Sequence, residues 1–250
     1  MEINSCFQIG KDHKICEDYA ISGHDPFPYI IISDGCSSNL NTDIGSRILV
    51  SMTKKNIHLF NPEYYIDFVD NVIFQSKSLV SIMGLNKDCL HATLLLIIKR
   101  DSNIYALMIG DGCLIYKDKN NIKHIIHEYK DNYPYYPIYI KSDIHTQDKE
   151  LTVKRLEGDT HLPFETIQLY KFESDMIEWI IVSSDGIFSF NNGSEIVSFE
   201  DIKEKISDFK SFTGDFIERK MKRSIKTLYK DGFSHSDDWS LGGLYLGDYS

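Results

Sequence analysis

The sequence predicts an α+β fold with a sheet-on-sheet core and helices outside it, and three observations carry that prediction. Short apolar runs rich in β-branched residues recur from end to end, bounded by turn residues. Stretches of helical periodicity fall between two groups of such runs and again before the last one. Some runs do not alternate, which is the pattern of strands covered on both faces, so sheets must pack on each other as well as under helices.

In chain order, residues 2–9 and 18–22 read as strands, and 28–33 as a strand buried on both faces. Over 42–58 the apolar Ile44, Ile48, Leu49 and Met52 lie at helical spacing, with Thr42 or Asp43 as the N-cap. A second helix is predicted over 63–82, where Tyr65, Phe68, Val69, Val72, Ile73, Leu79 and Val80 form one stripe. Residues 90–99, 104–109, 113–117 and 122–127 then read as a meander of hairpins, separated by Arg-Asp-Ser-Asn, Gly-Asp-Gly and Asp-Lys-Asn-Asn. The segment 128–150 is rich in Tyr, Pro and Asp and lacks a clean period, so a long surface loop or irregular flap is expected. Strands at 151–156, 166–172 and 178–183, helices near 199–209 and 213–230, and a strand over 239–246 complete the chain. No repeat, low-complexity tract or Gly/Ser linker marks a boundary, so residues 1–250 are expected to form a single domain.

Composition narrows the function. With 42% hydrophobic and 12% aromatic residues the 250-residue chain can bury a sizeable core. A formal net charge of -10 argues against nucleic-acid and anionic-membrane partners, which it would repel, and suits a cation site. Cys6, Cys16, Cys36, Cys89 and Cys113 are odd in number and form no Cys-x-x-Cys pair, against a disulfide framework or a zinc ribbon. The expected compartment is the reducing cytoplasm. The N-terminus lacks a basic region followed by an apolar one, so an unexported, soluble protein is expected.

Three apolar runs end in Asp-Gly: YIIISDG at Asp34, ALMIGDG at Asp111 and WIIVSSDG at Asp185. A tight hairpin turn explains Asp111, which stands between two strand-like runs. It explains Asp34 and Asp185 poorly, because a Ser/Asn-rich loop and a helix follow the first and IFSFNNG follows the second. An acid fixed at the end of a buried strand is better read as a metal ligand, with the glycine letting its own carbonyl approach the same ion. Gathered acids would repel by about 4 kcal/mol per pair at ~4 Å in an effective dielectric near 20, and a hard divalent cation removes that cost. Glu17-Asp18 and Asp237-Asp238, both beside predicted strands, are the other acidic words; an ordinary charged turn is the alternative for each.

In this order the words resemble the type 2C metal-dependent protein Ser/Thr phosphatase family. GKDHKICEDYA is similar to that family's Gly-x-x-Arg-x-x-Asn-Glu-Asp opening, and IIISDGCSSNLNTDIGS to its Asp-Gly-x-Gly-Gly-His word with the helix that follows. HATLLLI with ALMIGDGCLIY resembles the paired Gly-Ser-Thr-Ala and Val-Gly-Asp-Ser-Arg strands, WIIVSSDGIFSF the Ser-Asp-Gly strand, and DDWSLGGLYL the closing Asp-Asn strand. The Ser-Asp-Gly-Cys-Ser-Ser form looks most like compact bacterial or phage-type members.

The resemblance implies a four-layer α-β-β-α sandwich, two mainly antiparallel sheets flanked by helices, with two Mn2+ or Mg2+ ions at one end. Carried over by position, Asp34, Asp185 and Asp237 would be the catalytic acids. Asp34 would bridge both ions, Glu17 and the Gly35 carbonyl would face one, and Asp185 and Asp237 would hold the other. Asp18 would support them, and Asp111 would join Asp185 around a third, weaker ion. The ions would activate a water for in-line displacement at phosphorus, with no covalent enzyme intermediate. The substrate would be a phosphorylated protein, and a companion Ser/Thr kinase is expected from the family.

Departures from the pattern keep rivals open. The phosphate-gripping Arg falls at His13, with Lys14 beside it, so bidentate recognition is lost or rebuilt. The position often holding a general-acid His falls at Cys36. A catalytically weak or inactive pseudophosphatase that binds phosphoproteins is therefore one alternative, and a hydrolase of a phosphorylated small molecule another. A cysteine phosphatase needs a phosphate-cradling loop ending in Arg after its Cys, which CSSNLNTD does not supply. His124 and His127 are spaced for one helical face but fall in a predicted strand, so no metal role is expected of them.

Overall fold

The computed structural model describes residues 1–119, 121–140 and 149–247. β1 (Glu2–Gln8), β2 (Tyr19–Gly23) and β3 (Tyr29–Ser33) lead into α1 (Thr42–Asn56) and α2 (Tyr65–Ile82). β4 (Leu94–Arg100), β5 (Asn103–Ile109), β6 (Gly112–Asp118) and β7 (Ile122–Tyr129) come next, then β8 (Glu150–Arg155), β9 (Gly158–Pro163), β10 (Gln168–Glu173) and β11 (Ile177–Ser183). The short β12 (Phe190–Asn191), α3 (Phe199–Ser207), α4 (Phe216–Lys230), the short β13 (Ser234–His235) and β14 (Trp239–Tyr245) finish the chain.

Two antiparallel sheets dominate. One runs β1-β14-β11-β6-β7-β8-β9, the other β10-β5-β4-β3-β2, and β12 pairs with β13 apart from both. Period-2 alternation divides the seven-stranded sheet between two cores. From β11, Ile180 and Val182 join the five-stranded sheet and the α1–α2 layer, while Trp179 and Ile181 turn toward α3 and α4. The order helices, sheet, sheet, helices is the four-layer sandwich expected. β3 is buried at every position because it lies inside the five-stranded sheet between α1 and the other sheet. No helix among the described residues is long and apolar enough to cross a membrane.

Four expectations are corrected. Gly-Asp-Gly at 110–112 is not a hairpin turn: β5 belongs to one sheet and β6 to the other, so Asp111 sits on a crossover between them. Gly110 and Gly112 take φ of 98° and 132° there, values that side-chain-bearing residues rarely adopt. Neither Thr42 nor Asp43 caps α1; Asn41 holds the N-cap in left-handed geometry without a side-chain bond, and the Thr42 hydroxyl donates instead to Glu17 Oε1 at 2.7 Å. The aromatic segment is not a surface loop over its described part, since Tyr135, Tyr136, Ile138, Tyr139 and Ile140 are buried in the main core; residues 141–148 lie outside the described residues. Finally, β9 has no counterpart among the predicted strands, because GDTHLP is an exposed edge with no apolar alternation to read.

Candidate active site

The site forms where strand ends from both sheets meet. β3 delivers Asp34, and Thr93 clamps it: the Asp34 N–H donates to Thr93 Oγ1 at 3.0 Å and the Thr93 N–H donates to the Asp34 carbonyl at 2.8 Å. β11 delivers Asp185 at the start of a short 3-10 turn. Serines zip that end to β14, because the Ser184 N–H donates to the Ser240 carbonyl at 3.1 Å and the Ser240 N–H to Ser184 Oγ at 2.9 Å. A Cβ on Gly186 would fall 1.8 Å from the Asp238 carbonyl oxygen, so only glycine lets the Asp185 turn lie against the Asp237-Asp238 loop.

Asp34, Gly35, Asp111, Asp185 and Asp237 line one cavity of about 210 Å³, with Cys36, Ser37 and Ser38 at one side and Asn132 and Tyr136 at another. Asp18 is fully buried beneath, its Oδ2 accepting from Ser184 Oγ at 2.7 Å. Glu17 is set beside it by Thr42 and by Ser46, whose hydroxyl donates to the Glu17 carbonyl at 2.6 Å. His13 reaches three carboxylates, with Nδ1 3.1 Å from Asp238 and 4.0 Å from Glu17, and Nε2 3.4 Å from Asp237. Lys14 is exposed and no described contact joins it to the site.

The two acids of the last loop divide their tasks. Asp237 faces the cavity with a side chain 45% exposed, whereas Asp238 is buried and accepts the backbone N–H groups of Gly10 at 2.7 Å and Glu17 at 2.6 Å. Asp238 thus organises the loop that carries His13 and Glu17. In the sequence it is one of a pair of acids with no role of its own, and Thr93, Ser184 and Ser240 go unmarked there; only their positions beside strand-end acids could have pointed to them.

Electrostatics describes a site short of positive charge. Burial, then the neighbouring Asp18 and Asp185, hold the Asp34 carboxyl well above the usual range. Burial likewise pushes Asp18 to about 7, against hydrogen bonding from Asp34, Ser240 and Ser184, and Asp237 to about 6, with Asp185 adding to the latter. Asp111 is raised by burial and by Asp185. Burial lowers the His13 pKa, but Asp238, Asp237 and Glu17 outweigh it and leave a net rise. No Lys or Arg is among the described residues lining the cavity, and Asp185 Oδ1 is buried without a hydrogen-bond partner. An oxygen-rich donor set with an orphaned carboxylate oxygen fits hard divalent cations of the magnesium or manganese kind.

Comparisons with known proteins bear on the family and the fold. A protein-family model for protein phosphatase 2C matches residues 10–229. Among solved structures, a bacterial serine phosphatase superposes with a TM-score of 0.65 at 13% identity, covering 99% of each chain. The serine/threonine phosphatase Stp1 from Staphylococcus aureus gives a TM-score of 0.66 at 12% identity, over 99% of this chain and 96% of that one. The Mycobacterium tuberculosis serine/threonine phosphatase PstP/Ppp gives 0.59 at 13% identity, over 99% and 100%. At these identities the likeness is one of fold. No curated protein sequence matches.

Proposed function

The chain belongs to the protein phosphatase 2C family, and from that membership we propose that it is a metal-dependent phosphatase acting on phosphoserine and phosphothreonine in proteins. The observation that carries the proposal is the convergence of Asp34, Asp111, Asp185 and Asp237, from four distant stretches of chain, on one cavity that has no Lys or Arg among its described lining residues.

In this reading Asp34, the Gly35 carbonyl, Glu17, Asp185 and Asp237 would hold two Mn2+ or Mg2+ ions, and Asp111 with Asp185 a third. When bound, such ions offset the phosphate's charge and acidify a water for in-line attack. The chain's own contribution is placement. Thr93 holds the Asp34 backbone, Thr42 orients Glu17, and Ser184 fixes Asp18 beneath the cluster. His13, aimed by Asp238, would meet the phosphate where an Arg fork is lacking, with Lys14 approaching from the exposed loop. A phosphoprotein partner and a companion kinase are part of the same reading, and five free cysteines support a reducing cytoplasm.

A second reading, a phosphoprotein-binding module with little or no turnover, is favoured by one observation: the three carboxylates around His13 compete with any phosphate for its charge. The two readings separate on hydrolysis of an aryl phosphate across a manganese titration. Manganese-dependent turnover that falls at least about a hundredfold in Asp185→Asn and Asp237→Ala is expected. Manganese binding with no turnover in the unaltered protein would favour the binding module.

A further inference from the structure

A second cavity, of about 430 Å³, opens beside the acidic one. The two share Asp111, Asn132 and Asp185, so a ligand seated over the acids lies directly against the second space. Its walls differ in chemistry. Ile126 of β7, Phe188 of the turn after Asp185, and Phe199 at the head of α3 supply apolar surface. The Phe199 ring is held from two sides, 5.5 Å from Phe188 and edge-on to His124 at 5.1 Å. At the rim Lys154 pairs with Glu128, so the charges there answer each other. His127 and Tyr129 border the space from strand positions on the opposite face of β7, His127 turning onto Tyr170 and Tyr129 into the main core.

We propose that this cavity is a specificity subsite that takes an apolar side chain, aromatic or long aliphatic, lying within two residues of the phosphorylated residue in a protein substrate. The proposal rests on the phosphatase-family reading for the position of the phosphate, and the continuity of the two cavities carries it. An extended peptide advances roughly 3.3 Å per residue, so a side chain one or two positions from the phosphoresidue reaches an adjoining space. An apolar side chain there leaves water for a preformed aromatic wall. A polar or charged one would lose its hydration against Ile126, Phe188 and Phe199, and the rim pair of Lys154 and Glu128 already satisfies itself.

The test uses full-length protein with manganese and a matched set of peptides bearing a non-hydrolysable phosphonate analogue of phosphoserine. Leu, Phe, Ser or Asp is placed in turn at each of the four nearest flanking positions, and binding is read by fluorescence anisotropy. At one position the apolar peptides are expected to bind about tenfold or more tighter than the neutral Ser peptide, the Asp peptide reporting charge repulsion separately. That ratio, taken within each protein so that a general loss of affinity cancels, is expected to fall to about twofold or less in Phe199→Ser, which removes a wall, and in Lys154→Trp, which fills the mouth from a half-buried strand position. Thermal melts check that both variants fold. A flat ratio in the unaltered protein, or one that both folded variants keep, overturns the proposal and leaves the cavity to another occupant, such as a small apolar ligand. Turnover of the cleavable phosphoserine peptides, followed in parallel, reports on the phosphatase reading separately: discrimination without turnover removes catalysis and keeps the subsite, and turnover without discrimination does the reverse.

Discussion

The imidazole of His13 stands 3.1 Å from the buried carboxylate of Asp238. That carboxylate also accepts two backbone N–H groups, from Gly10 and Glu17, so one side chain ties the end of the loop after β1 to the loop before β14. Asp238→Ala would strand both N–H groups in the interior, at about 1–3 kcal/mol each. A loss of about 3 kcal/mol is expected, a fall of roughly 6–12 °C in Tm for a chain of this size, read by thermal denaturation without metal. Asp238→Asn keeps an acceptor for one of the two and should lose about half as much. A change below about 1 kcal/mol in the alanine variant would show that Asp238 does not organise this loop.

The same contact sets the expectation for His13. Its three carboxylate neighbours favour the imidazolium form, which is the form able to meet a phosphate, although more weakly than an Arg fork. His13→Ala should therefore raise KM for an aryl phosphate about tenfold while changing kcat little, and His13→Arg should lower KM severalfold. Steady-state kinetics at saturating manganese measures both. An unchanged KM in His13→Ala would remove His13 from phosphate binding.

Metal removal has a pH signature. In the metal-free protein, burial and mutual repulsion raise Asp18 to about 7 and Asp237 to about 6, with Asp34 and Asp111 raised as well. A folded-state pKa above the unfolded one means that the folded protein holds the extra protons. Its contribution to stability is complete below about pH 4 and is lost as pH rises toward 7, by ~1.4 kcal/mol for each pH unit that separates the folded and unfolded pKa values. Manganese supplies at neutral pH the positive charge that protons supply in acid. The rise in Tm on adding manganese should accordingly be larger at pH 7.5 than at pH 5; an equal or larger rise at pH 5 would contradict the acid cluster as the binding site.

Much of this was legible in the sequence because it follows from local pattern. A non-alternating run such as Tyr29–Ser33 can only lie between two layers, and Asp34 and Asp185 at the ends of such runs had no turn to serve. What stayed hidden depends on pairing across the fold. Gly-Asp-Gly between two apolar runs reads the same whether the strands pair or part to different sheets, so the crossover at Asp111 carried no signal of its own. Thr42 looks like a helix cap until Glu17, 25 residues earlier, arrives to accept its hydroxyl. Adjacent acids Asp237 and Asp238 are alike as letters, and only their burial, one facing a cavity and one backbone N–H groups, separates them.

His127 offers a pH effect of the opposite sign. It is buried, with Nε2 2.7 Å from the Tyr170 hydroxyl, and burial lowers its pKa to about 4, with Arg155 acting in the same direction and the Gly110 backbone opposing. Here the folded-state pKa lies below the unfolded value near 6.5, so the unfolded chain takes up the proton first. The stability it contributes is complete above about pH 6.5 and is lost as pH falls toward 4. His127→Gln keeps a hydrogen-bonding group opposite Tyr170 but cannot titrate. In the difference between the two proteins the carboxylate contributions cancel, provided the substitution leaves the acid cluster in place. On going from pH 7.5 to 5 the unaltered protein should lose about 2 kcal/mol more than His127→Gln, measured by denaturant titration at each pH. Parallel losses in the two proteins would mean that His127 titrates normally and is reached by water in the folded state.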